Sequence, residues 1–225
     1  MKILFLLAPS EWKNEWWNLK KERLSFSFEK PLDISKNVSE KDLKCKWERF
    51  EEGVILNKNI LNSETTYAIN RYSWVVFNAI DYSWMSDAWK DFFINNVLIV
   101  SGMYGLVKPL DVIWNYKLPI ETKWLYSFWW DKILDKLNEL NYDYIVNLLP
   151  NSYLKMINPK KINSKIININ FLTEKDWKIV KMSHWVKKYR GEFLNNICEN
   201  NLIDYKNYWW EVIENEKNID INILK

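Results

Sequence analysis

Three short apolar runs constrain this chain most: KILFLLA (2–8), VLIVSG (97–102) and the centre of YDYIVNLLP (142–150). Each is too short for a buried helix and is bounded by turn-forming or polar residues, so each reads as a buried strand. The stretches between them carry helical patterns. SEKDLKCKWERF (39–50) opens on Ser39 as a cap, and MSDAWKDFFINN (85–96) is amphipathic. In SFWWDKILDKLNEL (127–140), Ile133, Leu134, Leu137 and Leu140 form one stripe. SYLKMI reads as a short helix and residues 185–201 as a last long one. Residues 19–39 read as an extended surface segment. In 66–80 a helical start gives way to a β-rich run, Val75 to Ile80. KIININF and KIVKMS flank LTEKDW as a hairpin, and the tail 208–223 adds a short strand. Strands that alternate with helices and then end in a hairpin predict an α/β (α+β) fold. One domain is expected over 1–225, with a mixed central sheet flanked by helices.

Composition narrows the function classes. A formal charge of +3 is mild and does not by itself imply nucleic acid. Of the 32 basic residues, 28 are Lys and 4 are Arg. With abundant Asn and Ile, this has the look of an AT-rich genome. Cys45 and Cys198 lie far apart and read as reduced thiols. The single histidine, His184, has no sequence-adjacent nucleophile or acid and reads as structural. No clustered Cys/His ligands exist, so neither a metal nor a cofactor is expected. The six-residue apolar run after Lys2 is too short for a signal peptide or membrane span. A cytoplasmic protein with no membrane partner is therefore expected.

The most informative stretch is VLIVSGMYGLVKPLDVIWNYKLPI (97–120). A strand runs into Ser101-Gly102, then Tyr104-Gly105, then Lys108-Pro109-Leu110-Asp111. Glycine allows positive φ and close backbone approach to a ligand, and α/β proteins place sites at the C-terminal ends of buried strands. A tight, tyrosine-anchored turn without any ligand fits the same residues. SGMYG is neither a phosphate loop nor a dinucleotide fingerprint.

This stretch resembles the signature of the YaaA family of bacterial peroxide-stress proteins (UPF0246). APSEWK resembles that family's amino-terminal Pro-Ser-Glu-Gly-Lys loop, and LYSFWWDKI its Leu-Tyr-x-Phe-Trp-Gly segment. VNLLPNSYLKMINPKK and SHWVKKYRGEF are similar to two further motifs. The matches come in order from residue 3 to about 195, with 20–70 matching poorly. The resemblance implies a DNA-binding role in oxidative stress that limits damage by intracellular iron and peroxide. It also implies a helix-hairpin-helix element at about 38–70.

The resemblance bears on an imbalance in the chain: 15 Trp against 4 Gly. About 16 Gly would be ordinary at this length, and Trp and Gly together number 19. Where the family motifs have Gly, this chain has Trp12, Trp130 and Trp177, whereas Trp129 matches a family tryptophan. One hypothesis is that UGA codons decoded as glycine in their own cell are rendered here as tryptophan. Trp12, Trp16, Trp17, Trp74, Trp130, Trp177 and Trp209 are the candidates. A chain truly rich in tryptophan is the alternative.

Four groups should converge if the family pattern holds: Ser10, Glu11 and Lys13; Ser101, Tyr104 and Lys108; Asn147 and Tyr153; and Lys187 with Arg190. A cleft lined by these cations and hydroxyls would grip phosphate or a nucleic-acid backbone. Tyr104, Tyr116 and Tyr153 could stack on an exposed base. Each element also has a plainer reading. Glu11 and Lys13 could be a weak surface ion pair. Lys155, Lys160, Lys161 and Lys165 could be a solvated face, as could Lys187, Lys188 and Arg190. Two classes follow, with DNA or a nucleotide-like ligand as the partner: a nucleic-acid-binding stress protein, or an enzyme acting on a nucleotide or modified base. No catalytic residue is identifiable from sequence, and oligomeric state is not legible.

Overall fold

The fold was read from a computed structural model, which describes residues 1–15, 19, 21–182, 185–200, 210–214 and 218–224. His184, Trp16, Trp17, Trp209 and the side chain of Cys198 lie outside the described residues.

The strands are β1 (Ile3–Leu7), β2 (Thr65–Tyr67), β3 (Val97–Ser101), β4 (Gly105–Val107), β5 (Val112–Trp114), β6 (Tyr144–Asn147), β7 (Lys165–Lys175), β8 (Lys178–Lys181), β9 (Trp210–Glu214) and β10 (Asn218–Leu224). The helices are α1 (Leu32–Lys36), α2 (Glu40–Leu43), α3 (Glu48–Lys58), α4 (Ala68–Arg71), α5 (Val75–Ile80), α6 (Asp87–Asn96), α7 (Leu125–Trp129), α8 (Lys132–Leu140), α9 (Asn151–Ile157) and α10 (Val186–Asn200).

The main sheet is mixed, in the order β4-β3-β1-β6-β7-β10-β9, with β8 paired to the far end of β7. Strands β3, β1, β6, β7 and β10 run parallel, while β4 and β9 pair antiparallel at the two ends of that order. This is the mixed α/β architecture the sequence predicts. All three apolar runs became interior strands, and every residue of β1 and β3 is buried. Each fully buried Leu or Phe there contributes about 1.5–3 kcal/mol by leaving water. In α8, Ile133, Leu134 and Leu137 are buried and Leu140 packs alongside, as the helical stripe predicts. A smaller sheet pairs β2 with β5.

Three local expectations change. Val75–Ile80 is a helix, α5, not a strand, because tertiary packing overrides its β-branched composition. It docks on α10 at Gly191, where a Cβ would lie 2.4 Å from the Val76 carbonyl oxygen. The 19–39 segment is not wholly superficial. Phe26 and Phe28 pack on the core, Phe28 meeting Trp129 edge-on at 5.7 Å, and α1 closes the segment. The tail contributes two strands, and β10 extends the sheet beside β7.

The SGMYG turn packs closely against the surrounding protein. A Cβ on Gly102 would lie 2.7 Å from the Leu118 carbonyl oxygen, and one on Gly105 would strike the Trp129 ring at 2.8 Å. Trp129 Nε1 donates to the Gly102 carbonyl at 2.8 Å. Tyr104 is buried, and its hydroxyl accepts from the Trp114 amide at 2.9 Å. The tyrosine-anchored turn is therefore the reading the structure supports for this motif.

Candidate functional site

Because β3, β1 and β6 are parallel, the residues that follow them emerge at one edge of the sheet. Ser10, Glu11 and Lys13 leave β1 there. Ser101 ends β3, Asn147 ends β6, and Tyr153 lies in α9 just beyond. Ser10, Glu11, Lys13, Tyr116, Lys117 and Tyr153 line one small cavity of about 30 Å³, room for roughly two waters.

Behind this cavity runs a chain of hydroxyls. Ser101 Oγ accepts from the amides of Met103 and Tyr104, each at 3.2 Å. A serine oxygen has two lone pairs, so with both engaged it donates to the Tyr116 hydroxyl, 2.7 Å away. Tyr116 then donates to Tyr72 at 2.8 Å. The free proton of the chain is thus left on Tyr72, next to the loop after β1. Burial pushes Tyr72 up to about 12 and Tyr116 well above the ordinary phenol range, so both stay protonated.

Three cations lie along this edge of the sheet. Lys13 bridges in register to Tyr72, and its Nζ donates to the Ser10 carbonyl at 3.1 Å. Burial lowers the Lys13 amine to about 7; Glu11 opposes that shift, while Arg71 and Lys117 add to it. Arg71 is fully buried. It donates to the carbonyls of Asn14 and Glu64, and its Nε has no partner. Arg190 reaches the same edge from α10, donating to the Leu149 carbonyl at 3.3 Å, and its buried Nε is also unpartnered. Burial lowers Arg190 to about 10, leaving it charged at neutral pH. Among the described residues, no carboxylate forms an ion pair with Lys13, Arg71 or Arg190.

The remaining expected residues fall elsewhere. Tyr104 packs edge-on against Tyr116 at 5.5 Å and presents no free face for a base. Asn147 donates to the Asn168 side chain and accepts from the Leu149 amide, which uses it to order the turn after β6. Lys108 leaves the edge altogether: β4 runs back along β3, with Val107 opposite Ile99. Lys187 is exposed on α10, as are Lys155, Lys160 and Lys161 on their own segments. Sequence reasoning missed Arg71, Tyr72 and Lys117. One signal was available for Arg71, which is one of only four arginines among 32 basic residues. Among the described residues, no cluster of His, Cys, Asp and Glu suits a metal ion. No helix there is long and apolar enough to cross a membrane.

A mixed α/β sheet with a cationic, hydroxyl-rich pocket at its C-terminal edge is the class this geometry defines. The family profile described as peroxide stress protein YaaA matches residues 3–208. A UPF0246 protein of Rickettsia felis is 35% identical over 184 residues, covering 78% of this chain and 71% of its own. One of Rickettsia conorii is 33% identical over the same coverage. One of a Marinomonas species is 33% identical over 181 residues, covering 76% and 68%. The chain belongs to the YaaA (UPF0246) family of peroxide stress proteins.

Proposed function

We propose that this protein binds nucleic acid at the C-terminal edge of its parallel strands. In doing so it limits iron-dependent oxidative damage during peroxide stress. One observation carries the binding half of this reading. Among the described residues, the side-chain hydrogen bonds of Lys13, Arg71 and Arg190 go to backbone carbonyls, and no carboxylate forms an ion pair with any of the three. A phosphate at this edge would supply a counter-charge to Arg190 and favour the protonated form of Lys13, whose amine burial lowers to about 7. The stress half rests on family membership. The enclosed volume is small, so the contact proposed for nucleic acid is a backbone phosphate at its mouth. In the 38–70 region, where the family resemblance implies a helix-hairpin-helix, α2 and α3 are joined by a turn. Lys44 and Trp47 there both have positive φ.

A salt titration of fluorescence anisotropy, with duplex and single-stranded probes, tests the binding. Log affinity should fall against log salt by about 0.9 per phosphate neutralised on duplex, or about 0.7 on single strands. Lys13→Gln and Arg190→Ala should each make the slope shallower by roughly one contact, whereas Lys108→Ala should not. No binding at low salt, or slopes indifferent to Lys13 and Arg190, would refute it.

The second reading is an enzyme acting on a nucleotide or modified base. The Lys13 amine favours it: a lysine lowered to about 7 beside a hydroxyl chain can serve as base or nucleophile at neutral pH. A small molecule retained through purification and lost in Lys13→Gln, without salt-dependent nucleic-acid binding, would select that reading.

A further inference from the structure

Ten non-glycine residues have positive φ among the described residues, and five are tryptophans. They are Trp47 (φ 52°), Trp74 (75°), Trp124 (70°), Trp177 (61°) and Trp185 (63°). The other five are Lys44, Asp81, Asn141, Asn158 and Asp176. Asn and Asp tolerate the left-handed region through local hydrogen bonds; a bulky ring has no such compensation. Trp74 goes further, because its ψ of 174° puts it in a region essentially confined to glycine.

Burial does not explain these tryptophans either. The five are 81%, 59%, 66%, 94% and 68% exposed in the same order. Trp47, Trp74 and Trp124 stand immediately before α3, α5 and α7, and none makes a side-chain cap. Trp177 is the second residue of a two-residue hairpin loop, since Lys175 pairs with Lys178. Both loop residues have positive φ, as in a type I′ turn, where Asp-Gly is the favoured pair. Trp129 behaves in the opposite way. It is fully buried, is not in the left-handed region, and donates a hydrogen bond through Nε1. Trp89 and Trp114 also pack against the core.

We infer that residues 47, 74, 124, 177 and 185 are glycine in the protein as its own cell makes it, decoded from UGA codons rendered here as tryptophan. Glycine at these five narrows the deficit of glycine and the excess of tryptophan across the chain without closing either. Of the positions singled out from sequence, 74 and 177 share this geometry. Trp12 and Trp130 are exposed without positive φ. The inference also reshapes the candidate site. The Trp74 ring lies 5.9 Å from that of Trp12, on the loop that carries Ser10 and Lys13. Glycine at 74 removes one side of that indole pair.

Two measurements test the inference. The gene should carry UGA at the five positions and UGG at 89, 114 and 129. Peptides from protein purified from its own source should show the glycine mass at the five positions and the tryptophan mass at 129. UGG codons or tryptophan masses at the five would overturn it. Independently, a recombinant chain with glycine at all five should melt several degrees higher than the tryptophan chain. An equal or lower midpoint would count against the structural argument.

Discussion

The Lys13 amine lies 4.5 Å from the centre of the Tyr116 ring and 5.8 Å from that of Tyr72. Packed between these phenols, it loses water on several sides, and burial lowers it to about 7. Amine-selective acylation followed by peptide mapping should therefore modify Lys13 with a midpoint near pH 7, where exposed lysines react little. The same shift fixes how stability depends on pH. Between about 7 and the ordinary lysine value of 10.5, the unfolded chain binds a proton at this site that the folded chain does not. Stability should rise with pH across that window. Lys13→Met should flatten the rise in denaturant midpoint. An unchanged pH profile in that variant would show that Lys13 is not the group responsible.

Tyr116→Phe interrupts the hydroxyl chain at its middle. Ser101 and Tyr72 would each lose the partner they hold at 2.7 and 2.8 Å, inside a buried cluster. The expected loss is about 1–3 kcal/mol, the usual cost of stranding buried polar groups. Tyr104→Phe removes only the acceptor of the Trp114 amide and should cost about 1 kcal/mol. Chemical denaturation of the two variants should rank them in that order; the reverse order would mean that Ser101 and Tyr72 find other partners.

How much of this was legible in the sequence depends on the length of each signal. KILFLLA, VLIVSG and YIVN became β1, β3 and β6 because a short apolar run bounded by turn residues suits a fully buried interior strand. The edge they define was therefore also legible, and it collected Ser10, Lys13 and Ser101. Val75–Ile80 was misread because its composition is β-like, while its conformation is set by the close approach of α10 at Gly191. Lys108 was misplaced because nothing in VSGMYGLVKP shows that β4 doubles back along β3. Arg71 and Tyr72 were not found because they come from α4 and its end, 58 or more positions beyond Lys13 in sequence. Only pairing of the β1 loop with Tyr72 brings them together.

Gly191 and Gly102 are close-packing glycines, not conformational ones. Gly191→Ala would drive a methyl toward the Val76 carbonyl oxygen at 2.4 Å and the Ala79 Cβ at 2.7 Å. Both belong to α5, so the helix pair must separate. A loss of about 1–3 kcal/mol is expected from such overpacking. The Arg190 bond to Leu149 should loosen with it, because α10 carries both residues. Gly102→Ala meets backbone as well and should cost a similar amount without moving α10. Thermal midpoints, together with nucleic-acid affinity, separate the cases: only Gly191→Ala should weaken binding beyond its effect on stability.

The β7–β8 hairpin offers the most local test of backbone strain. All four residues of β8 are exposed, so the hairpin gains little from the core and depends on its loop. Asp176 and Trp177 both sit at positive φ there. A left-handed non-glycine residue costs roughly 1–2 kcal/mol, and the Trp177 indole, 94% exposed, recovers almost nothing. Trp177→Gly should therefore stabilise the hairpin by about that amount, and Asp176→Gly by less, since Asp tolerates this conformation. The readout is amide hydrogen exchange at the Thr173–Val180 pair. Protection there should rise roughly 5–30-fold in Trp177→Gly, while exchange in β1 and β3 stays as it was. If protection at that pair is unchanged, the turn is not strained by its tryptophan, and the type I′ reading of Asp176-Trp177 fails.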